Sequence, residues 1–186
     1  DIKTLEKKYS ISETNDEKRF CRKMAVSWIG GYGTTNDFSY LRNIMYNKND
    51  YAQEDAMRIL IEKTKLTNQL LPLAKEIVTN KMVFSLGLRG LTYVTLADMC
   101  NSEYTNTYIN SAQIRSNIAA FFLERAALES DMMLYVDRVA CDLNPSYRHS
   151  QQRRDNLAKL RPIGLTGEQA EIYDGRQRDA IPKEEK

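Results

Sequence analysis

The chain has 186 residues, of which 42% are hydrophobic, and its 27 basic residues nearly balance its 25 acidic ones. A chain of this length can bury a core of its own, and a net charge of +2 gives it no overall attraction to nucleic acid or to an anionic membrane. Only 8 glycines and 4 prolines argue against an all-β fold, which needs turn residues at short intervals. No apolar run approaches the roughly 18 residues that span a bilayer, so the composition predicts a soluble protein without membrane insertion.

Apolar residues recur at helical spacing along most of the chain, so we expect an all-α protein. Residues 1–14 are a predicted polar leader, 15–163 a single helical-repeat domain, and 164–186 a short helix with a polar C-terminal tail. The predicted helices, in chain order, are 15–29, 37–45, 52–63, 67–77, 82–99, 114–128, 132–143, 146–160 and 166–173.

The first predicted helix carries one apolar stripe, made of Phe20, Cys21, Met24, Ala25 and Trp28. The segment 30–33 (Gly-Gly-Tyr-Gly) ends this helix. It lacks the GxGxxG order of a phosphate-binding loop and follows a helix rather than a strand. We therefore interpret it as a helix C-cap and turn.

Residues 82–99 differ from the other helices because apolar side chains occur all the way round. A helix of this kind is enclosed on most sides, so we expect it to be the centre of the fold, where truncating Leu91 costs more stability than truncating Leu157. Gly87 and Gly90 indicate that a neighbouring helix packs close to it. Arg89, its one basic residue, either pairs internally or opens onto a concave surface, because an unpaired buried charge is very costly.

A small residue followed four positions later by an apolar one returns at a period of roughly 32 residues. The pairs are Ala56/Leu60, Gly87/Leu91 and Ala119/Leu123, with a weaker echo at Arg153/Leu157. A shorter apolar stretch precedes each pair, which predicts a right-handed α-solenoid of antiparallel helix pairs. These residues, over about 37–160, resemble HEAT or armadillo-like repeats. The resemblance implies a fold and says nothing about a ligand.

Residue types that carry catalysis or bind metals are scarce. His149 is the only histidine and lies in an arginine-rich segment with no cysteine nearby, so a Ser–His or Cys–His pair has no support. Cys21, Cys100 and Cys141 lie far apart, which excludes a zinc knuckle or a CxxC motif and favours buried structural thiols. We therefore expect a protein that is not an enzyme and uses no metal or cofactor.

The sequence allows two interpretations of the cellular compartment. An odd number of unpaired cysteines favours a reducing, cytoplasmic compartment. Because the first residue is Asp1 rather than Met, we expect that an upstream segment was processed or trimmed, and export after removal of a signal stays an open alternative.

The sharpest local charge feature is the segment 146–161, which holds five basic residues against one acidic residue. Together with Arg89, this segment suggests a surface for a partner or an anion. The candidate residues are Arg148, His149, Arg153, Arg154, Arg161 and Arg89. The alternative is the solvated face of a terminal capping repeat, on which the arginines meet local acids and contribute little stability.

Two functions follow from these patterns. A tyrosine-rich repeat surface without catalytic groups favours a scaffold that binds a protein or peptide partner. The rival is nucleic-acid binding through the basic helix 146–161. A DNA-glycosylase-like HEAT enzyme is a distant third, because Trp28, the only tryptophan, lies at the far end of the chain.

Overall fold

The computed structural model describes residues 15–101, 112–160, 165 and 167–181. Over this part of the chain the regular structure is entirely helical and contains no strand, which confirms the all-α prediction. The helices are α1 (Asn15–Tyr32), α2 (Phe38–Tyr46), α3 (Gln53–Thr64), α4 (Leu70–Thr79), α5 (Leu86–Cys100), α6 (Ala112–Ala126), α7 (Met133–Leu143), α8 (Gln151–Lys159) and α9 (Glu168–Asp179). Short 3-10 turns at Thr35–Asp37 and Pro145–Tyr147 precede α2 and α8. The predicted leader, residues 1–14, lies outside the described residues.

The chain divides into two compact units, residues 1–89 (unit 1) and residues 90–186 (unit 2), and the boundary falls within α5. The sequence prediction of one domain over 15–163 contains no such division. Each unit has buried apolar residues of its own.

Helix α3 is the centre of unit 1, since α1, α2 and α4 each pack against it. Residues three and four positions apart share a face of a helix, and α3 buries such a set on the sides that meet its neighbours. The buried apolar residues of unit 1 include Ala56, Met57, Leu60 and Ile61 of α3, Val26 and Ile29 of α1, Leu41 and Ile44 of α2, and Leu73 and Ile77 of α4.

Polar contacts determine which face of α1 turns inward. The Arg22 guanidinium donates to Asp50 (Nη2 to Oδ2, 2.8 Å) and to the Tyr40 hydroxyl (2.9 Å). Gly30, further along α1, lies close to α3, because a Cβ there would lie 2.9 Å from Cδ1 of Ile59. These contacts commit the side of α1 that carries Arg22 and Gly30 to the interior of unit 1.

In unit 2, α6 and α7 form a close helix pair, and α8 and α9 pack on each other. Met133, Leu157, Tyr173 and Ala180 form a buried apolar cluster that joins α7, α8 and the C-terminal segment. Because Tyr173 and Ala180 both enter this cluster, α9 continues to Asp179 and does not end near Tyr173 as predicted. Leu157 is therefore a core residue, contrary to its predicted place on a polar cap.

The expectation that residues 82–99 form an enclosed central helix is wrong. The helix begins only at Leu86, because Ser85 caps it: its Oγ accepts a hydrogen bond from the Leu88 N–H at 3.3 Å. Met82, Leu86 and Val94 are exposed, and Leu91 is half-buried. Apolar residues all round this helix do not enclose it, since part of its surface faces solvent.

Three glycines test the predicted turns and close approaches. Gly33 rather than Gly30 ends α1, and its N–H donates to the Ile29 carbonyl at 2.7 Å. At Gly90 a Cβ would lie 2.9 Å from Cε of Met132, the flexible end of a side chain just before α7, so the close approach of a neighbouring helix stays a prediction. At Gly87 the prediction is wrong, since the nearest atom, Ser85 Oγ, would lie 3.8 Å away.

Candidate functional site

The basic segment folds differently from the single helix predicted over 146–160. Pro145–Tyr147 forms a 3-10 turn, and α8 begins at Gln151. Ser150 caps α8, because its Oγ accepts a hydrogen bond from the Arg153 N–H at 3.1 Å. Arg153 and Leu157, four residues apart on α8, are both buried in unit 2.

Arg153 is fully buried, with 0% of its surface exposed. Its Nε and Nη2 donate to the two carboxylate oxygens of Asp137 on α7, at 2.9 and 2.8 Å, and its Nη1 donates to Asp179 at 3.2 Å. Burial works to lower the pKa of Arg153, but the hydrogen bonds and the charge of Asp137 outweigh burial and raise it. Arg153 therefore forms ion pairs with Asp137 and Asp179 that link α7, α8 and α9, and its side chain is not exposed at the surface.

The other predicted site residues of this segment do not converge on one exposed patch. Arg154 is half-buried and donates to the Ala180 carbonyl at 3.1 Å. Arg148 is exposed and pairs with Asp142 at 3.5 Å, while His149 is exposed. Arg161 lies outside the described residues.

Arg89, the remaining candidate, belongs to unit 1 and is buried. A buried guanidinium does not offer an open anion-binding surface, so this expectation is corrected as well.

A second buried polar group lies in unit 2. Arg125 Nε donates to the Tyr93 hydroxyl at 3.1 Å, and this hydroxyl donates to Glu129 Oε2 at 2.9 Å. All three side chains are buried, and burial is the main cause of the raised pKa of Tyr93. Because the three groups bond to one another inside the protein, we assign them a structural role.

Two shallow depressions lie on unit 2, with volumes of about 410 and 580 Å³. Both are lined by Arg115 and Asp142, which carry opposite charges, and Arg115 donates to the Cys100 carbonyl at 2.6 Å. Within the described residues, no group of three or more His, Cys, Asp or Glu side chains is arranged to hold a metal ion. The described residues that line these depressions form no recognisable catalytic constellation.

The exposed surface that stands out lies on α1. Phe20, Met24, Trp28 and Tyr32 follow one another at four-residue intervals, and each is between 54% and 75% exposed. Residues four apart lie above one another on a helix, so these side chains form one continuous ridge, which we call the α1 ridge. The rings of Trp28 and Tyr32 lie 5.2 Å apart.

The sequence prediction placed Phe20, Met24, Ala25 and Trp28 on one stripe, and the structure divides that stripe. Ala25 is buried together with Val26 and Ile29, whereas the α1 ridge lies outside. The sequence contained an indication of this exposed face, because the apolar residues of α1 cover more of the helix surface than one packed face can bury. Two separate apolar faces explain that excess.

A shallow furrow of small side chains runs beside the α1 ridge. Ser27 and Gly31 are both exposed, and a Cβ at Gly31 would meet no atom within 4 Å. Lys23, one turn before Ser27, is exposed and lies 4.0 Å from Asp55. This side of α1 therefore presents an apolar ridge next to a furrow that is open to solvent.

Comparison with protein-family models, with curated protein sequences and with solved structures gives no match to this chain. Among the described helices, none combines the length and the apolar character that crossing a membrane requires.

Proposed function

We propose that this chain is a non-catalytic helical-repeat scaffold that binds a protein or peptide partner, and that the α1 ridge is its contact surface. The α1 ridge is the observation that carries the proposal. A contiguous exposed apolar patch of this kind is uncommon on a protein surface and typical of an interaction site. Trp and Tyr, two of its four members, are enriched at the centres of protein interfaces.

The exposed area supports a specific but modest affinity. The four side chains of the α1 ridge expose roughly 500 Å² in total, if each offers about 150–250 Å² when fully exposed. Burying that area releases about 12 kcal/mol at 25 cal/mol per Å². Association and side-chain ordering consume a large part of it, on the order of 4–15 kcal/mol. At most about 8 kcal/mol then remains, so we expect dissociation constants in the micromolar range or weaker for a partner that contacts only this ridge.

The repeat architecture belongs to the same proposal. Ala56 and Leu60 are both buried in unit 1, as a HEAT- or armadillo-like packing position requires, and Arg153 and Leu157 are both buried in unit 2. Of the other two pairs, Gly87 is exposed, and Leu91, Ala119 and Leu123 are half-buried. A helical repeat packs each helix pair on its neighbours, so the outward face of a first helix offers apolar contacts to a further helix. The α1 ridge has this character.

The nucleic-acid alternative loses support from the position of Arg153. Its guanidinium is bound on three sides by protein oxygens, so it is not available to a phosphate. Arg154 donates to main-chain carbonyls and to Gln151, and Arg148 is paired with Asp142. Among the residues of this segment that the structure describes, no contact favours phosphate binding, and we do not advance that function.

The proposal can be tested with a displayed library of amphipathic helical peptides selected on the whole chain. Trp28 is the only tryptophan, so its fluorescence reports directly on the α1 ridge. We expect selected peptides to shift Trp28 emission to shorter wavelength, because binding removes the indole from water. Trp28→Ala, followed by titration with a fluorescent label on the peptide, should weaken binding by roughly tenfold or more.

Leu66→Ala is the matched control for this test. Leu66 is also in unit 1 and is 63% exposed, but it lies outside α1. Peptides that bind equally well to the wild type and to Trp28→Ala, or that are lost with Leu66→Ala, would show that the α1 ridge is not the binding surface.

A further inference from the structure

We propose that α9 is a detachable latch, and that the surface it covers on α7 and α8 binds an acidic amphipathic helix of a partner protein when α9 is displaced. We call this surface the α9 groove. It belongs to unit 2, whereas the α1 ridge belongs to unit 1, so it adds a second binding surface to the proposed function. The contacts that hold α9 indicate both that it can leave and what can replace it.

The latch is anchored in the way that a bound peptide is anchored, through one aromatic side chain. Of the twelve residues of α9, all of them described, only Tyr173 is buried, and Ala180, directly after the helix, is buried as well. Both belong to the apolar cluster that Met133 of α7 and Leu157 of α8 contribute to. By contrast, α7 buries six of its eleven residues. An amphipathic helix that places a few anchors into an apolar groove is a recurring mode of peptide recognition, and α9 has this form.

The α9 groove keeps its principal charged donor in place without α9. Arg153 donates to both carboxylate oxygens of Asp137 on α7, at 2.9 and 2.8 Å, and its Nη1 donates to the Arg148 carbonyl at 2.8 Å. To these bonds α9 adds the carboxylate of Asp179, 3.2 Å from Nη1. Because 51% of the Asp179 side chain is exposed, this pair contributes little to holding α9. Arg153 is therefore a preorganised donor for a carboxylate on whichever helix occupies the groove.

Charge determines the kind of helix that fits. Helix α8 carries three basic residues and one acidic residue, whereas α9 carries four acidic and two basic residues. Opposite charges favour docking, and like charges oppose it. Arg154 donates to the Ala180 carbonyl at 3.1 Å, so the groove also binds the C-terminal end of the docked helix, where carbonyls lack partners within the helix. The partner is therefore an acidic helix with an aromatic anchor and a carboxylate near its C-terminal end.

A helix held by one buried side chain separates more easily than the rest of its unit. Local opening occurs in elements with few buried apolar contacts, and α6 and α7 bury five and six residues, respectively. Because α9 is part of the same chain, it competes with a partner at a high effective concentration. It therefore keeps the groove closed until a partner is abundant enough to displace it.

Fluorescence anisotropy with a labelled peptide of residues 167–181 tests the inference on the full chain. This peptide reproduces the chemistry of α9 and competes with it for the groove. We expect weak binding to the wild type and at least about tenfold tighter binding to Tyr173→Ala, in which α9 has lost its anchor. Ile172→Ala is the matched control. Ile172 precedes Tyr173 on α9 but is 45% exposed, so this variant should bind the peptide no better than the wild type.

Variants of the peptide test the recognition. A peptide with Tyr173→Ala should not bind, because it lacks the anchor. A peptide with Asp179→Lys should bind at least about tenfold more weakly, because it places a cation beside Arg153. Unchanged binding of the Asp179→Lys peptide would refute the acidic partner. Equal binding of the original peptide to Tyr173→Ala and to the wild type, or an equal gain with Ile172→Ala, would overturn the groove as a binding site.

Hydrogen exchange of the wild type provides a test that depends on no variant. We expect the amides of α9 to exchange at least about tenfold faster than those of α7, and equal rates would show that α9 does not open by itself. Circular dichroism verifies that the variants are folded. Sedimentation velocity identifies the occupant: a wild-type dimer that the peptide disperses would assign the groove to α9 of a second copy and overturn a separate partner protein.

Discussion

Arg153 provides the most demanding test of the structure, because both sequence interpretations, a partner surface and a solvated cap, placed it in contact with solvent, where its replacement has little effect on stability. Arg153→Met keeps the aliphatic volume and removes the charge. The substitution would leave Asp137, itself 2% exposed, as a buried carboxylate without its two donors. Removing one member of a buried ion pair costs about 3–5 kcal/mol. Small domains are stable by about 5–15 kcal/mol, so the loss is a large fraction of the total.

Urea unfolding followed by far-ultraviolet circular dichroism measures this loss. Arg154→Met is the matched control, since Arg154 is half-buried and donates mainly to carbonyl oxygens and Gln151. We expect it to cost no more than about 1.5 kcal/mol.

A double variant tests the cause. Arg153→Met combined with Asp137→Leu should recover much of the stability, because an apolar pair of similar volume leaves no buried charge. Equal losses for Arg153→Met and Arg154→Met, or a double variant less stable than Arg153→Met alone, would refute the assignment of a buried ion pair.

Three further predictions concern stability and thiol reactivity. Leu157→Ala should cost about 2–5 kcal/mol in urea melts, clearly more than Leu91→Ala, because Leu157 is buried and Leu91 only half-buried; the opposite order would contradict the described core. Gly33→Ala should lower thermal stability by about 1–3 kcal/mol, since its Cβ would lie 2.4 Å from a main-chain oxygen. Gly175→Ala, in open space within α9, should raise it by about 0.5–1 kcal/mol, and calorimetry of the two variants compares them. Burial raises the pKa of the Cys141 thiol to about 11 from an ordinary value of 9.0. The folded protein therefore favours the protonated thiol. This contribution to the free energy of unfolding is complete below pH 9.0 and is lost as the pH rises toward about 11. Mass spectrometry after iodoacetamide treatment near neutral pH should find Cys141 unmodified until the chain unfolds, and rapid modification of the folded protein would show that it is not buried.

The limits of sequence reasoning are clearest in α5 and α9. An all-round apolar pattern indicated that the helix near residues 82–99 is enclosed, yet Met82 and Leu86 face solvent. Hydropathy describes what a side chain favours and not whether a neighbouring element is present to cover it. Conversely, the polar composition after Tyr173 gave no sign that α9 continues to Asp179 or that Ala180, directly after it, is buried.

The sequence by itself determined that the described chain is helical, since the spacing of apolar residues along a helix is a local property. Only the tertiary structure decided which of the two apolar faces of α1 is buried, and that Arg153 belongs to the core. Both outcomes depend on partners distant in sequence: Arg22 of α1 is held by Asp50, and Arg153 is held by Asp137 and Asp179. A charged side chain is stable in an interior only where folding brings its counter-ions to it. The local sequence pattern does not show which distant residues will become neighbours.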